Sequence, residues 1–362
     1  MSRAILLGYD VVDRSPLEID FLRELARPDD VIFFPDGTHK IGFTPERFAA
    51  LSAPLTQETH LVTKAELVDR LEPFGSIIRF SSNATNHLHK TPLKDRLSYV
   101  ESYGGFDHPN IKVAHSFPKS AFSRQFLTPW WSQRTGQVHP IGPMWYPKRG
   151  AVEMPEQLTV GLYFKNVYFV EKKAQQWFGR RRGTVYGQRH RALVRNCIEA
   201  LSKYRVIACL HPNHGGFRDE EIAFFEESGL PRGDILTEGD NYTHISLGVG
   251  FSTHSRADCN WYGKPFIELD IPDLPKLRAW NKARNCRSIT RDIERKVPGL
   301  AQSHYLPFYY GRGTALEGLA ETVDQVMDTY NEQNCLAVGE ALLGPSMNNA
   351  ERAHVVNTAL GA

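Results

Sequence analysis

The sequence predicts an α/β protein of two domains, each built on a parallel sheet, facing a central cleft. Three observations carry this. The 362 residues exceed what one ordinary core accommodates and suit about two. Short apolar runs alternate with stretches of helical periodicity along the whole chain. Those runs are continuous rather than alternating, as expected of strands covered on both faces.

Composition narrows the classes further. Apolar residues make up 41% and charged residues 23%, ordinary globular usage that excludes a disordered chain and a polytopic membrane protein. A net charge of +2 gives no whole-chain signal for nucleic acid or an anionic membrane, so any such partner must be read from local patches. The five cysteines are odd in number and contain no Cys-x-x-Cys, which points away from disulfides and zinc and toward a reducing cytoplasm. The four-residue apolar run before Gly8 is too short for a signal peptide, so no export is expected.

In chain order, AILLGYD reads as a buried strand running into a turn. SPLEIDFLREL follows with Ser15 as N-cap, Pro16 at N1 and Glu18 at N3, a helix start. VIFFPDG is a second buried strand, which completes a βαβ unit. KAELVDRLEPFG and SIIRFSS repeat the helix–strand pattern, and IKVAHS adds a strand. The segment 138–157 carries four prolines and reads as a crossing linker. Beyond it LTVGLYF, RVIACLHP, THISLGVGFS and KPFIELD read as strands, with QRHRALVRNCIEALSKY and DEEIAFFEESG as helices. From about Gly313 onward the chain reads as one long amphipathic helix. The expected domains are 1–145 and 156–345, with 346–362 as a tail.

Candidate site residues cluster where strands end. His211 and Pro212 stand at the end of RVIACL, the edge where ligands bind in a parallel sheet; His211 offers a donor to a phosphate oxygen, and His214 lies in the same turn. Ser252, Thr253 and His254 stand at a strand-to-helix junction, where hydroxyls and free backbone N–H groups suit an anion. Plain solvated turns and N-caps are the alternative at each place. Two such sites on neighbouring strands of one half favour convergence on one ligand. Lys165, after LTVGLYF, is a further phosphate candidate or an exposed strand-end lysine.

These residues resemble a family. His211-Pro212, Ser252-Thr253, Asp258 five positions before Gly263-Lys264-Pro265, and Val138 to Pro143 at the domain junction are similar to motifs of the GT-B glycosyltransferases. The nearest group is that of bacterial sialyltransferases and CDP-glycerol glycerophosphotransferases, with their HP and Ser-Ser/Thr motifs. The resemblance implies two Rossmann-like domains and a nucleotide-sugar donor. It implies that His211, Ser252 and Thr253 hold the nucleotide phosphate and that Asp258 contacts the donor's ribose or sugar. The acidic-acidic-Gly motif of such sialyltransferases has only Pro35-Asp36-Gly37 as a counterpart, lacking the first acid.

An inverting transfer needs a base for the acceptor hydroxyl. Asp10 and Asp36 follow the first two strands and are the candidates, with turn formation as their plain alternative. No DxD or His-Glu-x-x-His motif appears, and no metal or further cofactor is expected, because a helix N-terminus and cations can neutralise a leaving phosphate. Lys172 to Arg191 holds seven Lys and Arg with no acid, including Arg180, Arg181, Arg182 and Arg189. It reads as a surface loop: solvated, closing over donor phosphate, or holding an anionic glycan or nucleic acid. The expected function is metal-independent sugar transfer to a glycan or small-molecule acceptor. The alternatives are glycosylation of a DNA base, as in viral DNA glucosyltransferases, and epimerisation of a nucleotide sugar on the same fold.

Overall fold

The computed structural model describes residues 2–8, 15–36, 43–80, 87–88, 90–101, 113–118, 135–144, 150–210, 216–237, 241–250, 255–270, 303–307, 316 and 318–361. The chain divides into two compact units, 1–148 with 343–362, and 149–342.

Unit 1 is a seven-stranded sheet in the order β3-β2-β1-β4-β5-β6-β7. Its strands are β1 (Arg3–Leu6), β2 (Val31–Pro35), β3 (Glu58–Val62), β4 (Ser76–Phe80), β5 (Leu97–Val100), β6 (Val113–Phe117) and β7 (Thr135–Val138). Every pairing is parallel. Helices α1 (Ser15–Leu25), α2 (Pro45–Ser52) and α3 (Leu67–Leu71) cross between the first strands. The apolar runs are continuous because both faces are covered: Ile5, Ile32, Phe34 and Ile78 enter one core, while Ala4, Leu6, Phe33 and Ile77 enter another.

Unit 2 is a six-stranded sheet in the order β10-β9-β8-β11-β12-β13. Its strands are β8 (Thr159–Tyr163), β9 (Arg205–Cys209), β10 (Ile235–Leu236), β11 (Leu247–Gly250), β12 (Phe266–Asp270) and β13 (Ser303–Pro307), again all parallel. Its helices are α4 (Val167–Phe178), α5 (Arg180–Ala200), α6 (Arg218–Glu227), α7 (Ser255–Trp261), α8 (Leu319–Asp328) and α9 (Glu332–Leu343). In both units the first strand is central, the next two extend the sheet to one side and the rest to the other, the dinucleotide-fold strand order.

The structure corrects the sequence reading in several places. The long C-terminal helix is two, α8 and α9, broken at Thr329–Asn331. Residues 346–362, set apart above as a tail, carry α10 (Asn349–Ala359) and belong to unit 1. The basic stretch 172–191 is helical rather than a loop, covering the end of α4 and the first half of α5. Cys197, Cys209, Cys259 and Cys335 are free and buried. No helix among the described residues is long and apolar enough to cross a membrane.

Candidate functional site

In a sheet of this order the connections on either side of the first strand leave to opposite faces, which opens a crevice at the carboxyl ends of the strands. In unit 2 that point lies between β8, which runs out through Phe164, Lys165 and Asn166, and β11, which ends at Gly250. His211, Pro212, His214, Ser252, Thr253 and His254 lie outside the described residues. Their flanks are placed: Leu210 follows β9 with its N–H donating to the Leu236 carbonyl at 3.0 Å, and Ser255 opens α7. Strands β9 and β11 are not neighbours, as the sequence reading had them, because β8 pairs with both. Strands β9 and β11 therefore lie two strand spacings apart, roughly 10 Å, on either side of β8.

A buried polar network fixes the end of β8. Asn166 is fully buried, and its Oδ1 accepts from the N–H groups of Tyr168 (3.1 Å) and Phe169 (2.9 Å), capping α4. Its Nδ2 donates to the Phe217 carbonyl (3.1 Å) and to Glu221 Oε2 (2.7 Å), which ties β8 to the segment following 211–215. Burial pushes the Glu221 carboxyl up to about 7, against the pull of Asn166, the Val167 N–H and Arg218. His190 of α5 sits with Nε2 3.3 Å from the Lys165 carbonyl; burial pushes its imidazole down to about 4, so at neutral pH the ring is uncharged and donates from Nε2. Lys165 is half-buried at the strand end, where the sequence reading put it.

On the β11 side, Tyr163, Tyr242 and Tyr262 form a ring column, with centroids 5.9 Å and 4.8 Å apart and planes 8° and 20° from parallel. The Tyr242 hydroxyl donates to Asp258 Oδ2 at 3.1 Å, so this half-buried acid on α7 is held by the column. Arg256, in the first turn of α7, is fully buried, with Nη1 3.9 Å from Glu268 Oε2 on β12. The Gly-Lys-Pro turn is a structural tie. Gly263 takes φ +76°, and buried Lys264 donates from Nζ to the Glu153 carbonyl at 2.9 Å, pinning the incoming segment to unit 2.

Asp36 follows β2, its N–H donating to the Val62 carbonyl at 2.9 Å, and bridges to Phe43. It stands one strand away from unit 1's own switch point, between β1 and β4. Asp10, in the segment between β1 and α1, lies outside the described residues. Arg180, Arg181, Arg182 and Arg189 are exposed on α5. Sequence reasoning missed Asn166, His190, Glu221 and Tyr242. The cap at Asn166 was legible before the helix VYFVEKK; the burial of Glu221 and His190 was not.

No family model and no curated protein sequence matches the chain. Solved structures match it along nearly its whole length. The crystal structure of Anabaena Alr3699/HepE in complex with UDP is 11% identical and covers 100% of both chains at a TM-score of 0.52. Medicago truncatula UGT71G1 complexed with UDP-glucose is 10% identical over 99% of this chain and 98% of that one, at 0.52. A putative UDP-N-acetylglucosamine 2-epimerase from Listeria monocytogenes is 11% identical over 99% and 95%, also at 0.52. At such identities the likeness is one of fold, and it agrees with the two strand orders: the chain has the GT-B fold, two Rossmann-like α/β units in one polypeptide.

Proposed function

We propose that the protein transfers a sugar from a nucleotide-sugar donor to an acceptor hydroxyl, without a metal. One observation carries the reading. The described ends of β9 and β11, after which the sequence continues into His211 and into Ser252-Thr253, lie on either side of β8 at the switch point of unit 2, on a fold shared along its length with proteins bound to UDP and UDP-glucose. In this reading His211, His214, Ser252, Thr253 and His254 hold the donor phosphates, Lys165 adds positive charge, and Asp258 accepts a hydroxyl of the ribose or sugar. A carboxylate of unit 1, Asp10 or Asp36, takes the acceptor's proton as the acceptor oxygen attacks the anomeric carbon. The bond from that carbon to the phosphate oxygen breaks, and its electron pair leaves with the nucleotide. Backbone N–H groups and cationic side chains stabilise that developing charge.

Calorimetric titration with UDP, CDP and CMP tests the donor site. One of them binds the wild type, and His211→Ala weakens it at least ~10-fold, the loss of a charge-assisted phosphate contact. Asp10→Ala or Asp36→Ala keeps that affinity while transfer falls by roughly 10²–10⁴ for whichever is the base. Failure of all three nucleotides to bind overturns the reading. Conversion of a nucleotide sugar into its epimer with no acceptor present overturns the reaction and leaves the donor site standing.

A further inference from the structure

The basic stretch forms a structural arm. His190 touches the Lys165 carbonyl at the carboxyl end of β8, and the residues of α5 beyond it, Leu193, Val194, Cys197 and Ile198, enter the core of unit 2. None of residues 180–189 does. That part of α5 packs on α4: Gln175 donates to Thr184 at 3.0 Å, Gly183 and Gly187 lie against Gln175 and Glu171, and just beyond it Arg191 pairs with Glu171 at 2.6 Å. About ten residues of helix, some 15 Å, thus separate the α4–α5 turn from the part of α5 that enters this core.

The outer face of this arm is positive and largely without counter-charge. At 100° per residue Arg181, Arg189 and Arg182 fall within an arc of about 100°, with Val185 between them. All three arginines are exposed, and no ion pair engages them or Arg180 among the described residues. The stretch 172–191 contributes seven positive charges and no negative one, so the rest of the chain has 36 Lys and Arg against 41 Asp and Glu. The field is concentrated on the arm of a protein otherwise net negative.

We infer that the α4–α5 arm docks the phosphate backbone of a nucleic acid duplex. Charge complementarity selects a dense polyanion, and a duplex carries one negative charge per about 1.7 Å of its axis. The exposed cations on the outer half of α5, Arg180, Arg181, Arg182 and Arg189, are all arginines, whose planar forks pair bidentately with phosphate. A lipid surface fits less well, because an interfacial helix needs an apolar wedge. Val185, 44% exposed, is the only exposed large hydrophobic residue among the described ones. The half-exposed Phe178 and Tyr186, with ring centroids 6.4 Å apart, lie along the arm.

The test is fluorescence anisotropy with a dye-labelled 30-base-pair duplex and no nucleotide sugar present, so failure here and failure of the donor assignment are read separately. Binding is expected at low salt, with a log–log salt slope of about −3 to −4 for some four phosphate contacts. The triple change Arg181→Glu, Arg182→Glu, Arg189→Glu lowers affinity at least ~30-fold with an unchanged melting temperature, and the Gln triple flattens the slope by about 2 to 3. The inference is overturned by no duplex binding at low salt, by binding that either triple variant retains in full, or by preference for phosphatidylglycerol vesicles or heparin over the duplex.

Discussion

Glu221 and His190 bracket the end of β8 and titrate in opposite senses. The carboxyl of Glu221, raised from 4.5 to about 7, keeps in the folded state a proton that the unfolded chain releases, so its contribution to stability is lost as pH rises from about 4.5 to 7. The imidazole of His190, lowered from 6.5 to about 4, stays neutral in the folded state while the unfolded chain takes up a proton. Its contribution is present above about 6.5 and lost as pH falls toward 4. Between 4.5 and 6.5 the two slopes offset. Glu221→Gln keeps an oxygen for Asn166 Nδ2 and removes one of them, so the variant gains stability as pH rises through that window. At pH 8 it exceeds the wild type by about 1–3 kcal/mol, while near pH 4.5 the two agree. Urea midpoints at pH 4.5, 6.5 and 8 check this; a pH-independent difference contradicts the assignment. Neither residue was legible as a buried titratable group. Glu221 sits in DEEIAFFEE, which reads as an acidic first turn, and His190 sits in a run of arginines. What buries them is the packing of α6 and α5 beside β8, which the local pattern does not encode.

At the scale of the element, the α4–α5 hairpin shows how a pattern can be misread. Gly179, Gly183 and Gly187 look like loop punctuation, but a spacing of four puts glycines on one helical stripe. Gly179 turns the chain at φ +81°. Gly183 and Gly187 let α5 approach α4 closely: a Cβ at 183 would sit 2.2 Å from Gln175 N, and one at 187 would sit 2.4 Å from Glu171 Cβ. Gly183→Ala should therefore destabilise unit 2 by about 1–3 kcal/mol, the cost of overpacking against backbone. Alanine's helix propensity alone would stabilise by about 1 kcal/mol. Urea denaturation decides between the signs. Central strands such as VIFF and LTVGLYF were legible because burial on two faces demands continuous apolar runs. Edge strands lack that demand: ETHLV of β3 is half-exposed along most of its length, and β10 is two residues long. The Pro-flanked SHYLP of β13 gave no strand signal either.

At the scale of the whole molecule, the sequence conveyed two α/β units but not that the chain returns to the first. The return depends on partners more than two hundred residues distant, which no window of local periodicity contains. The capping box of Asn348 and Glu351 starts α10. Its Arg352 donates to the carbonyls of Ile141 (3.0 Å) and Pro143 (2.8 Å). Asn357 accepts from Arg3 Nη1 at 2.7 Å and donates to the Leu25 carbonyl at 3.3 Å; the same arginine forms a buried 2.6 Å ion pair with Asp30. Ala353 and Val356 enter the core that holds Ile5, Phe21 and Leu22. Removing residues 344–362 bares that core face and leaves Arg3 short of a partner. Losing Val356 from the core alone costs about 1.5–3 kcal/mol, and the uncovered neighbours add to it. The expected signature is confined to one unit. In hydrogen exchange the amides of β1 and β2 lose protection in the truncated chain, while those of β8 and β9 keep it, because no described residue beyond Leu343 enters the core of unit 2. Equal loss of protection in both units would mean that α10 stabilises the molecule by a route other than the unit 1 contacts described.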